Sequence, residues 1–294
     1  MDENMRPPEP RFVIDALLPA EIAQKAETIG AQKARLDLSR LVVLSMLAGA
    51  FIGLGAMFAT TVMAGADGVL PFGITRLFAG LVFSLGLILV VVGGAELFTG
   101  NTLMVMALAA RKITGLEMLR AWLIVYVGNF VGAFGTAVLV FLSGQHLSGD
   151  GVVAEIAVSI ASSKAALPFG RAFFLGILCN VLVCLAVWLS IGARTTADKV
   201  LAVLFPVAAF VAAGFEHSVA NMYLIPLGMM IRDWGPSALG SVSTAHVADL
   251  SWPAFFWSLI PVTIGNVVGG GVLVGVVYWF VYLRPSPSRT PSDA

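Results

Sequence analysis

The sequence predicts an all-α polytopic membrane protein with six transmembrane helices. Of its 294 residues, 59% are hydrophobic and only 12% are charged, and the mean hydropathy is +0.94. These values exclude an ordinary soluble domain. Apolar runs as long as the roughly 20 residues that cross a bilayer recur along the chain. Two of these runs are interrupted near their middle by polar and helix-breaking residues, which indicates a functional site inside the membrane.

The first 40 residues are polar and contain no signal-peptide core. Within them, Ile22, Ala26 and Ile29 recur at helical spacing among charged residues. We therefore expect an amphipathic helix over about residues 20–35. The alternative interpretation of this segment is a solvated tail.

The spans follow from the uncharged runs and the turns between them. In order they are 41–66, 77–110 with a break, 121–149, 172–193, 200–231 with a break, and a last span that begins near residue 258. A polar linker is expected over about residues 144–168. The uncharged run 250–283 would be ~51 Å long as one helix, which exceeds a ~30 Å hydrocarbon core. Trp252 and Pro253 are therefore predicted to start a short interfacial helix that precedes the last span.

Six spans place both termini on the same side of the membrane. That side carries 13 of the 17 Lys and Arg residues, and the opposite side carries 4. The positive-inside rule then places both termini in the cytoplasm. The predicted organisation is a cytoplasmic amphipathic segment over 1–40, a six-span transmembrane domain over 41–283 and a disordered cytoplasmic tail over 284–294.

The stretch from Gly214 to Asn221 interrupts the fifth span. It places Glu216 and His217 near the membrane midplane, where a charge costs at least ~2.5 kcal/mol. The backbone groups that a break frees must be satisfied inside the protein or by water. A second stretch of this kind, Gly93 to Asn101, interrupts the second span. We interpret the two breaks as the centre of a pore.

The two halves of the chain share two motifs in the same order. The motifs are Glu-x4-Asn, at 96–101 and 216–221, and Gly-Asn-x-x-Gly, at 128–132 and 265–269. The two repeats, about 41–143 and 170–283, contain three spans each and must therefore cross the membrane in opposite directions. Paired broken helices in an inverted repeat indicate a transport site at the midplane. The N-termini of the second half-helices would point inward and favour an anion.

The sequence resembles the formate/nitrite transporter family, and most closely its formate channels. The motifs that carry the resemblance are Phe83–Leu89, Ala95–Asn101, Leu182–Trp188, Gly214–Met222 and Ile260–Asn266. The resemblance implies an aquaporin-like protomer, a homopentamer with one pore per protomer, and a location in the lipid bilayer of the bacterial inner membrane. It also implies passage of small monovalent anions together with protons. Formate is the leading candidate, and nitrite, hydrosulfide, acetate and lactate are alternatives that the sequence does not rank.

The resemblance also assigns the residues of the pore. They are the central His217 with its partner Thr99, the vestibule Lys164, the nearby Asn180, the apolar constrictions Phe83 and Leu87 on one side and Phe210 on the other, and Leu97 beside Thr99. From residue chemistry, Glu96 and Glu216 are expected to hold the broken loops rather than carry protons. Asn101 and Asn221 suit capping of the half-helices.

The apolar constrictions suggest a mechanism. A bare anion that loses its water in a constriction incurs a large desolvation cost, whereas a neutral acid incurs far less. We therefore expect Lys164 and the half-helix dipoles to draw the anion in, and His217 to donate a proton or a strong hydrogen bond. Imidazole suits this task because its ordinary pKa of ~6.5 lies near physiological pH. The alternative for His217 is a structural histidine that bridges helix ends.

The sequence leaves the choice of anion open and offers less support for other classes of function. Gly100 and Asn101, directly after Thr99, are more typical of nitrite or hydrosulfide relatives, which leaves the preferred anion open. A neutral-solute channel is a more distant alternative, since no Asn-Pro-Ala pair occurs at the breaks. A membrane enzyme is not supported, because the sequence contains no recognisable catalytic motif, and no catalytic residues are predicted. No nucleic-acid partner, metal or cofactor is indicated, and Cys179 and Cys184 are expected to be buried thiols.

Overall fold

The computed structural model describes residues 16–235 and 250–284, and within these ranges the chain is helical without strands. Its α-helices are α1 Pro19–Ala34, α2 Leu38–Met63, α3 Phe72–Gly93, α4 Phe98–Asn101, α5 Val105–Ala109, α6 Gly115–Leu142, α7 Val152–Ala165, α8 Phe169–Gly192, α9 Thr196–Ala212, α10 Ser218–Trp234, α11 Trp252–Asn266 and α12 Val277–Tyr282. Short 3-10 turns at Thr102–Met104 and Gln145–Leu147 and a π-helix at Val267–Val276 complete the described part. The predicted tail from residue 285 onward, and residues 1–15, lie outside it.

Polar side chains at the membrane ends of the helices fix where several helices begin. Asp37 caps α2 by accepting a hydrogen bond from the backbone N–H of Arg40 at 3.0 Å. Thr114 and Thr195 form capping boxes at the starts of α6 and α9, and Ser251 caps α11. Each cap satisfies a backbone N–H group that has no partner within its own helix. Capping therefore lets the apolar runs start as helices next to the polar loops.

Five helical segments in the described residues are long and apolar enough to cross a membrane. They are Leu38–Met63, Phe72–Gly93, Gly115–Leu142, Phe169–Gly192 and the continuous run Trp252–Tyr282. The remaining predicted crossing corresponds to α9 and α10, which contain 17 residues each and are separated by the loop after Ala212. This arrangement agrees with the predicted six-span polytopic fold and with broken second and fifth spans.

Two local predictions are wrong. The segment predicted as a polar linker over 144–168 contains a 14-residue helix, α7, whose apolar side packs against α10. The predicted interfacial helix at Trp252 is instead the start of one uninterrupted 31-residue helical run. A helix longer than the hydrocarbon core can tilt, so its length alone did not require a break.

Glycines allow the helices of each repeat to pack backbone against backbone. In the first repeat, a Cβ atom at Gly132 would lie 1.9 Å from the carbonyl oxygen of Met46 in α2. In the second repeat, a Cβ atom at Gly269 would lie 2.2 Å from the carbonyl oxygen of Ile177 in α8. Both distances are far below van der Waals contact. The repeated Gly-Asn-x-x-Gly motif is therefore a helix-packing device in both halves.

Helix α1 is docked against the transmembrane helices rather than isolated. Its Ile22, Ala23 and Ala26 are buried in a cluster with residues of α8, among them Trp188. Lys112 makes an ion pair with the buried Glu27 at 2.6 Å. The predicted helix over about residues 20–35 is therefore present, and its apolar face covers one end of the helix bundle.

Candidate functional site

The two broken spans meet through a hydrogen bond between Thr99 and His217. The Oγ1 atom of Thr99 lies 3.0 Å from the Nε2 atom of His217, and both side chains are buried. Each break follows a glycine with a left-handed backbone, Gly94 at φ +82° and Gly214 at φ +74°. L-residues with a side chain adopt this conformation at a cost, so glycine ends the preceding helix at both positions. The sequence thus brings the two breaks together at one point.

The position of His217 defines which ring nitrogen carries the proton. His217 is the N-cap residue of α10, and its Nδ1 atom accepts a hydrogen bond from the backbone N–H of Ala220 at 3.1 Å. An accepting nitrogen carries no proton, so the neutral ring carries its proton on Nε2. The Nε2–H group then donates to the Thr99 hydroxyl oxygen. The hydroxyl hydrogen of Thr99 remains free to donate to another acceptor.

The asparagine of each Gly-Asn-x-x-Gly motif holds the loop of its own repeat. Asn129 accepts a hydrogen bond from the N–H of Phe98 at 2.8 Å and donates to the carbonyl of Glu96 at 2.9 Å. Asn266 accepts from the N–H of Ser218 at 3.0 Å and donates to the carbonyl of Glu216 at 2.9 Å. These bonds satisfy the backbone groups that the breaks leave without helical partners.

In each repeat the asparagine of Glu-x4-Asn donates a hydrogen bond to the glutamate, and the glutamate pairs with a lysine. Asn101 donates to Glu96 at 2.8 Å, and Lys33 of α1 lies 2.9 Å from the same carboxylate. Lys33 also donates to the side-chain oxygen of Asn101 at 2.7 Å. These three groups form one partly buried cluster in which the charges of Lys33 and Glu96 balance.

The second repeat contains the matching cluster. Asn221 donates to Glu216 at 2.8 Å, and Lys164 of α7 lies 2.8 Å from the other oxygen of that carboxylate. Asn101 and Asn221 thus bind the glutamates, whereas Asn129 and Asn266 bind the backbone at the half-helix starts. This differs from the expectation that Asn101 and Asn221 cap the half-helices.

A cavity of about 330 Å³ lies on the α7 side of the Thr99–His217 pair. We call it the α7 cavity; its lining includes Arg76, Phe83, Lys164, Arg171, Phe210, Glu216 and His217. Among its charged lining residues, three are cationic and one is a carboxylate. Phe83 and Phe210 contact each other edge to face with ring centroids 5.7 Å apart, and Phe210 stacks on the imidazole of His217 at 6.0 Å. An apolar constriction therefore lies directly beside the histidine.

A second cavity, of about 300 Å³, lies on the α1 side. We call it the α1 cavity; its lining includes Lys25, Lys33, Leu87, Glu96, Leu97, Gly100 and Lys199. It too has three cationic residues and one carboxylate among its charged lining residues. Leu97 and Gly100 are close neighbours of Thr99 in the chain, so the Thr99–His217 pair lies between the two cavities. The α1 cavity thus repeats the charge pattern of the α7 cavity.

The structure corrects the predicted grouping of the apolar residues. Phe83 was expected to share one side with Leu87, opposite Phe210. Instead Phe83 and Phe210 line the α7 cavity, while Leu87 and Leu97 line the α1 cavity. Phe83 and Leu87 are four residues apart on α3, and one turn of the helix is enough to place them on opposite sides of the central pair.

Asn180, which the resemblance assigned to the pore near Lys164, lines neither the α7 cavity nor the α1 cavity. Its amide nitrogen donates to the carbonyl of Asn266 at 2.6 Å and lies 3.2 Å from the carbonyl of Thr99. The side chain is fully buried, and its Oδ1 atom has no partner among the described residues. Asn180 therefore connects the loop of one repeat to the helix of the other.

Sequence reasoning missed three sets of residues around the site. Asn129 and Asn266 could have been found, since their motif recurs in both halves. Lys33 had no signal in the sequence, because it lies in α1, outside both repeats. Arg76 had no signal; its guanidinium donates to the carbonyls of Val211 and Ala212 at the end of α9.

A metal site receives no support from the described residues. No group of three or more His, Cys, Asp or Glu side chains there could hold a metal ion. Cys179 and Cys184 are both free and buried. The described side chains at the centre supply hydroxyl, imidazole and amide groups.

Comparison with known proteins places this geometry in context. Residues 20–280 match the family model described as formate/nitrite transporter. The formate channel FocA of Escherichia coli K12 is 44% identical over 276 residues, which cover 92% of this chain and 96% of that protein. The formate channel FocA of Haemophilus influenzae is 40% identical over 265 residues, covering 89% of this chain and 93% of that protein.

Solved structures show the same fold. A pentameric formate channel with formate bound matches with a TM-score of 0.78 and 42% identity, over 84% of this chain and 98% of that chain. A channel described as an FNT family ion channel matches with a TM-score of 0.76 and 32% identity, over 89% of this chain and 98% of that chain. The match to the family model, over residues 20–280, extends across both repeats and both broken spans.

Proposed function

The chain belongs to the formate/nitrite transporter family and is a membrane channel or transporter rather than an enzyme, and from this premise we propose that it conducts formate. In this proposal it sits in the bacterial inner membrane with both termini in the cytoplasm, assembles as a homopentamer and conducts in both directions. The observation that carries the proposal is the charge pattern. Two cavities, each with three cations and one carboxylate, flank a narrow centre that offers hydrogen-bond donors.

The excess positive charge of each cavity favours a small anion. Lys33 balances Glu96 and Lys164 balances Glu216, so two further cations in each cavity remain uncompensated within the lining. Arg76 also covers carbonyl oxygens at the end of α9, which would otherwise present partial negative charge to the α7 cavity. Cavities with one sign of charge raise the local concentration of the opposite ion.

The apolar constrictions on both sides of the Thr99–His217 pair favour a neutral permeant at the narrowest point of the pore. Phe83 and Phe210 on one side, and Leu87 and Leu97 on the other, offer no hydrogen bond to an anion that has lost its water. The free hydroxyl hydrogen of Thr99 provides one donor to a carboxylate oxygen. A proton added to formate at this point gives formic acid, which crosses the apolar constrictions at a far lower desolvation cost than the formate anion.

His217 is the proposed source of that proton. A neutral ring bound as in the structure can accept a second proton only at Nδ1, and it must then release the N–H of Ala220. The resulting imidazolium gives one proton to formate, so that neutral imidazole and formic acid form and no charge is lost. The acid releases the proton on the far side, and each formate therefore moves with one proton. Permeation is expected to rise as the pH falls.

The alternative permeants, nitrite and hydrosulfide, depend on the residues after Thr99. Gly100 lines the α1 cavity, and a Cβ atom there would lie 3.5 Å from Val187, so this glycine leaves some room near the centre. The Asn101 side chain, in contrast, is occupied by Glu96 and Lys33 and does not offer its amide to a permeant. The occupied side chain of Asn101 therefore favours formate over nitrite or hydrosulfide, if these anions were recognised by the Asn101 amide.

The test is uptake into proteoliposomes that contain the purified protein. Swelling is followed after mixing with ammonium formate, ammonium nitrite, ammonium hydrosulfide or glycerol, with protein-free liposomes as the control for leak. We expect formate to produce the fastest protein-dependent swelling and glycerol to produce none. Faster swelling in glycerol than in any of the anions would overturn the proposal and support a neutral-solute channel.

A further inference from the structure

The carbonyl oxygen of Thr99 is held by three side chains from behind the pore. It accepts hydrogen bonds from the Thr102 hydroxyl at 2.7 Å, from the Asn180 amide at 3.2 Å and from the Cys184 thiol at 3.5 Å. The three side chains also contact one another. The Oγ1 atom of Thr102 lies 3.1 Å from the amide nitrogen of Asn180 and 3.3 Å from the sulfur of Cys184. We call these three side chains the Thr99 anchor.

The back of the Thr99 anchor is closed by one glycine of the π-helix. A Cβ atom at Gly270 would lie 2.2 Å from Oγ1 of Thr102, 2.3 Å from Nδ2 of Asn180 and 2.5 Å from the sulfur of Cys184. All three distances are shorter than any real Cβ contact, so at least these three side chains would have to move. They are already constrained by the hydrogen bonds that hold Thr99. No other glycine of the π-helix faces the Thr99 anchor in this way; the neighbouring Gly271 would meet only Val105 and a carbonyl, at 3.5 Å or more.

The π-helix explains why Gly270 reaches this position. The segment Val267–Val276 is wound more widely than an α-helix and lies between α11 and α12. π-helical turns are uncommon and occur frequently at functional sites. The segment also begins directly after Asn266, whose carbonyl accepts the shortest hydrogen bond of Asn180. The wide winding therefore brings a backbone without a side chain against the side chains that hold Thr99.

We propose that Gly270 and Thr102 are positioning residues that set the orientation of Thr99 and, through it, the Thr99–His217 hydrogen bond. Neither residue lines the α7 cavity or the α1 cavity. Thr102 fixes the carbonyl of Thr99, and Gly270 leaves the space in which Thr102, Asn180 and Cys184 can do so together. The importance for transport depends on the function proposed above, whereas the effect on the geometry does not.

The first test is structural and is independent of transport. Cryo-electron microscopy of the wild-type protein, Gly270→Ala and Gly271→Ala compares the distance between Oγ1 of Thr99 and Nε2 of His217. We expect this distance to exceed hydrogen-bond range, above ~3.5 Å, only in Gly270→Ala. An unchanged pair in a folded Gly270→Ala protein overturns the proposal, whatever the protein transports.

The second test is formate uptake into proteoliposomes as a function of pH. Gly270→Ala and Thr102→Val are expected to lower uptake about tenfold and to move the pH at which uptake is half maximal. Gly271→Ala leaves the space at Gly270 unchanged, and Thr102→Ser keeps the hydroxyl. Formate uptake by both variants is expected to stay within about twofold of wild-type uptake. Both damaging substitutions act on the Thr99 anchor. Formate uptake by the variant that combines Gly270→Ala with Thr102→Val should therefore be no lower than uptake by Gly270→Ala alone.

The outcomes of the two tests separate the two proposals. If the wild-type protein carries no formate, the proposed function fails, and the structural comparison alone decides the role of Gly270. If Gly270→Ala and Thr102→Val lower uptake without moving the pH profile, and the two effects add, they act only on general packing. That result overturns the positioning role while the proposed function stands.

Discussion

His217 makes two different hydrogen bonds through its two ring nitrogens, and these can be tested separately. The Nδ1 atom caps α10 through the N–H of Ala220, and the Nε2 atom faces Thr99. Asparagine is a good helix cap but does not titrate, whereas alanine offers neither an acceptor nor a proton site. The substitution His217→Asn therefore removes the titration while retaining an acceptor for the cap.

The capping role predicts a difference in stability between two variants. His217→Ala should lower the free energy of unfolding by ~1 kcal/mol relative to His217→Asn, since the N–H of Ala220 loses its acceptor. Thermal unfolding of both purified variants in the same detergent measures this difference. Equal melting temperatures would show that the bond to Ala220 contributes nothing to the stability of α10.

His146 gives a pH-dependent stability that is separate from transport. It lies in the short turn Gln145–Leu147, is buried, and stacks on Phe141 with ring centroids 5.0 Å apart. Burial lowers the pKa of His146 below its ordinary value of 6.5. Between the folded and the unfolded pKa the unfolded chain binds more protons, so the contribution of His146 to stability is lost as the pH falls below about 6.5.

This loss should disappear when the ring can no longer titrate. We expect the wild-type melting temperature to fall more between pH 7.5 and pH 5 than that of His146→Phe, which keeps an aromatic ring beside Phe141. The same scan on Thr61→Ala controls for general acid effects, because Thr61 lies in the last turn of α2, accepts a hydrogen bond from the Gln145 side chain and carries no titrating group. A fall of the same size in His146→Phe and wild type would assign the acid sensitivity to other groups.

At the scale of the elements, the glycines of α6 provide a matched pair of substitutions. A Cβ atom at Gly132 would lie 1.9 Å from the carbonyl oxygen of Met46, whereas a Cβ atom at Gly135 would meet nothing within 4 Å. Gly132→Ala should therefore force α2 and α6 apart and destabilise the protein by ~1–3 kcal/mol or more. Gly135→Ala should be neutral or stabilising by up to ~1 kcal/mol, since alanine favours a helix.

Chemical unfolding of the two variants under identical conditions checks this expectation. Expression and oligomeric state, followed by size-exclusion chromatography, show whether Gly132→Ala still assembles. If both variants unfold at the same denaturant concentration, the close approach of α2 and α6 contributes nothing measurable. The second repeat offers an independent check in Gly269→Ala, whose Cβ would lie 2.2 Å from the carbonyl of Ile177.

The broken elements show which parts of the site could be predicted from sequence. Gly94, Gly214 and the polar residues after them mark both breaks, because few residues tolerate a left-handed backbone or a polar side chain inside an apolar run. Helix α7 was missed, since its apolar face is short and its polar face matched a linker composition. The relative placement of Phe83 and Leu87 depends on how α3 is turned toward the pore, which no local pattern specifies.

At the scale of the whole molecule, two clusters of lysine, glutamate and asparagine are related by the repeat. The fold class, the paired breaks and the inverted repeat were all predictable, because hydropathy and repeated motifs report them directly. The partner of Glu96 was not, since Lys33 lies 63 positions away in a helix outside the repeats. Its contact with the pore loop arises only when α1 docks against the bundle.

The charge balance of the α1 cavity predicts a compensating pair of substitutions. Lys33→Met leaves the carboxylate of Glu96 buried without its cation, which should cost ~3–5 kcal/mol of stability and lower formate uptake severalfold. Adding Glu96→Gln removes that carboxylate and restores the net charge of the cavity. The double variant should therefore recover most of the stability and most of the uptake.

Thermal unfolding and proteoliposome uptake at low formate concentration measure both effects. Lys33→Arg, which keeps the charge, serves as the control. If the double variant regains stability but not uptake, Lys33 acts by direct contact with the anion rather than through the charge of the cavity. Added salt should weaken uptake by wild type more than by Lys33→Met, since salt screens the attraction.

The most direct test of the proposed mechanism counts protons and formate together. Proteoliposomes that contain an internal pH indicator receive formate at external pH 5.5 and 7.5, and protein-free liposomes measure the leak of formic acid through lipid. For wild type we expect faster uptake at pH 5.5, with about one proton entering per formate, and for His217→Asn we expect loss of both the pH response and the proton entry. A His217→Asn protein that retains the wild-type pH response and proton stoichiometry would contradict proton transfer through His217.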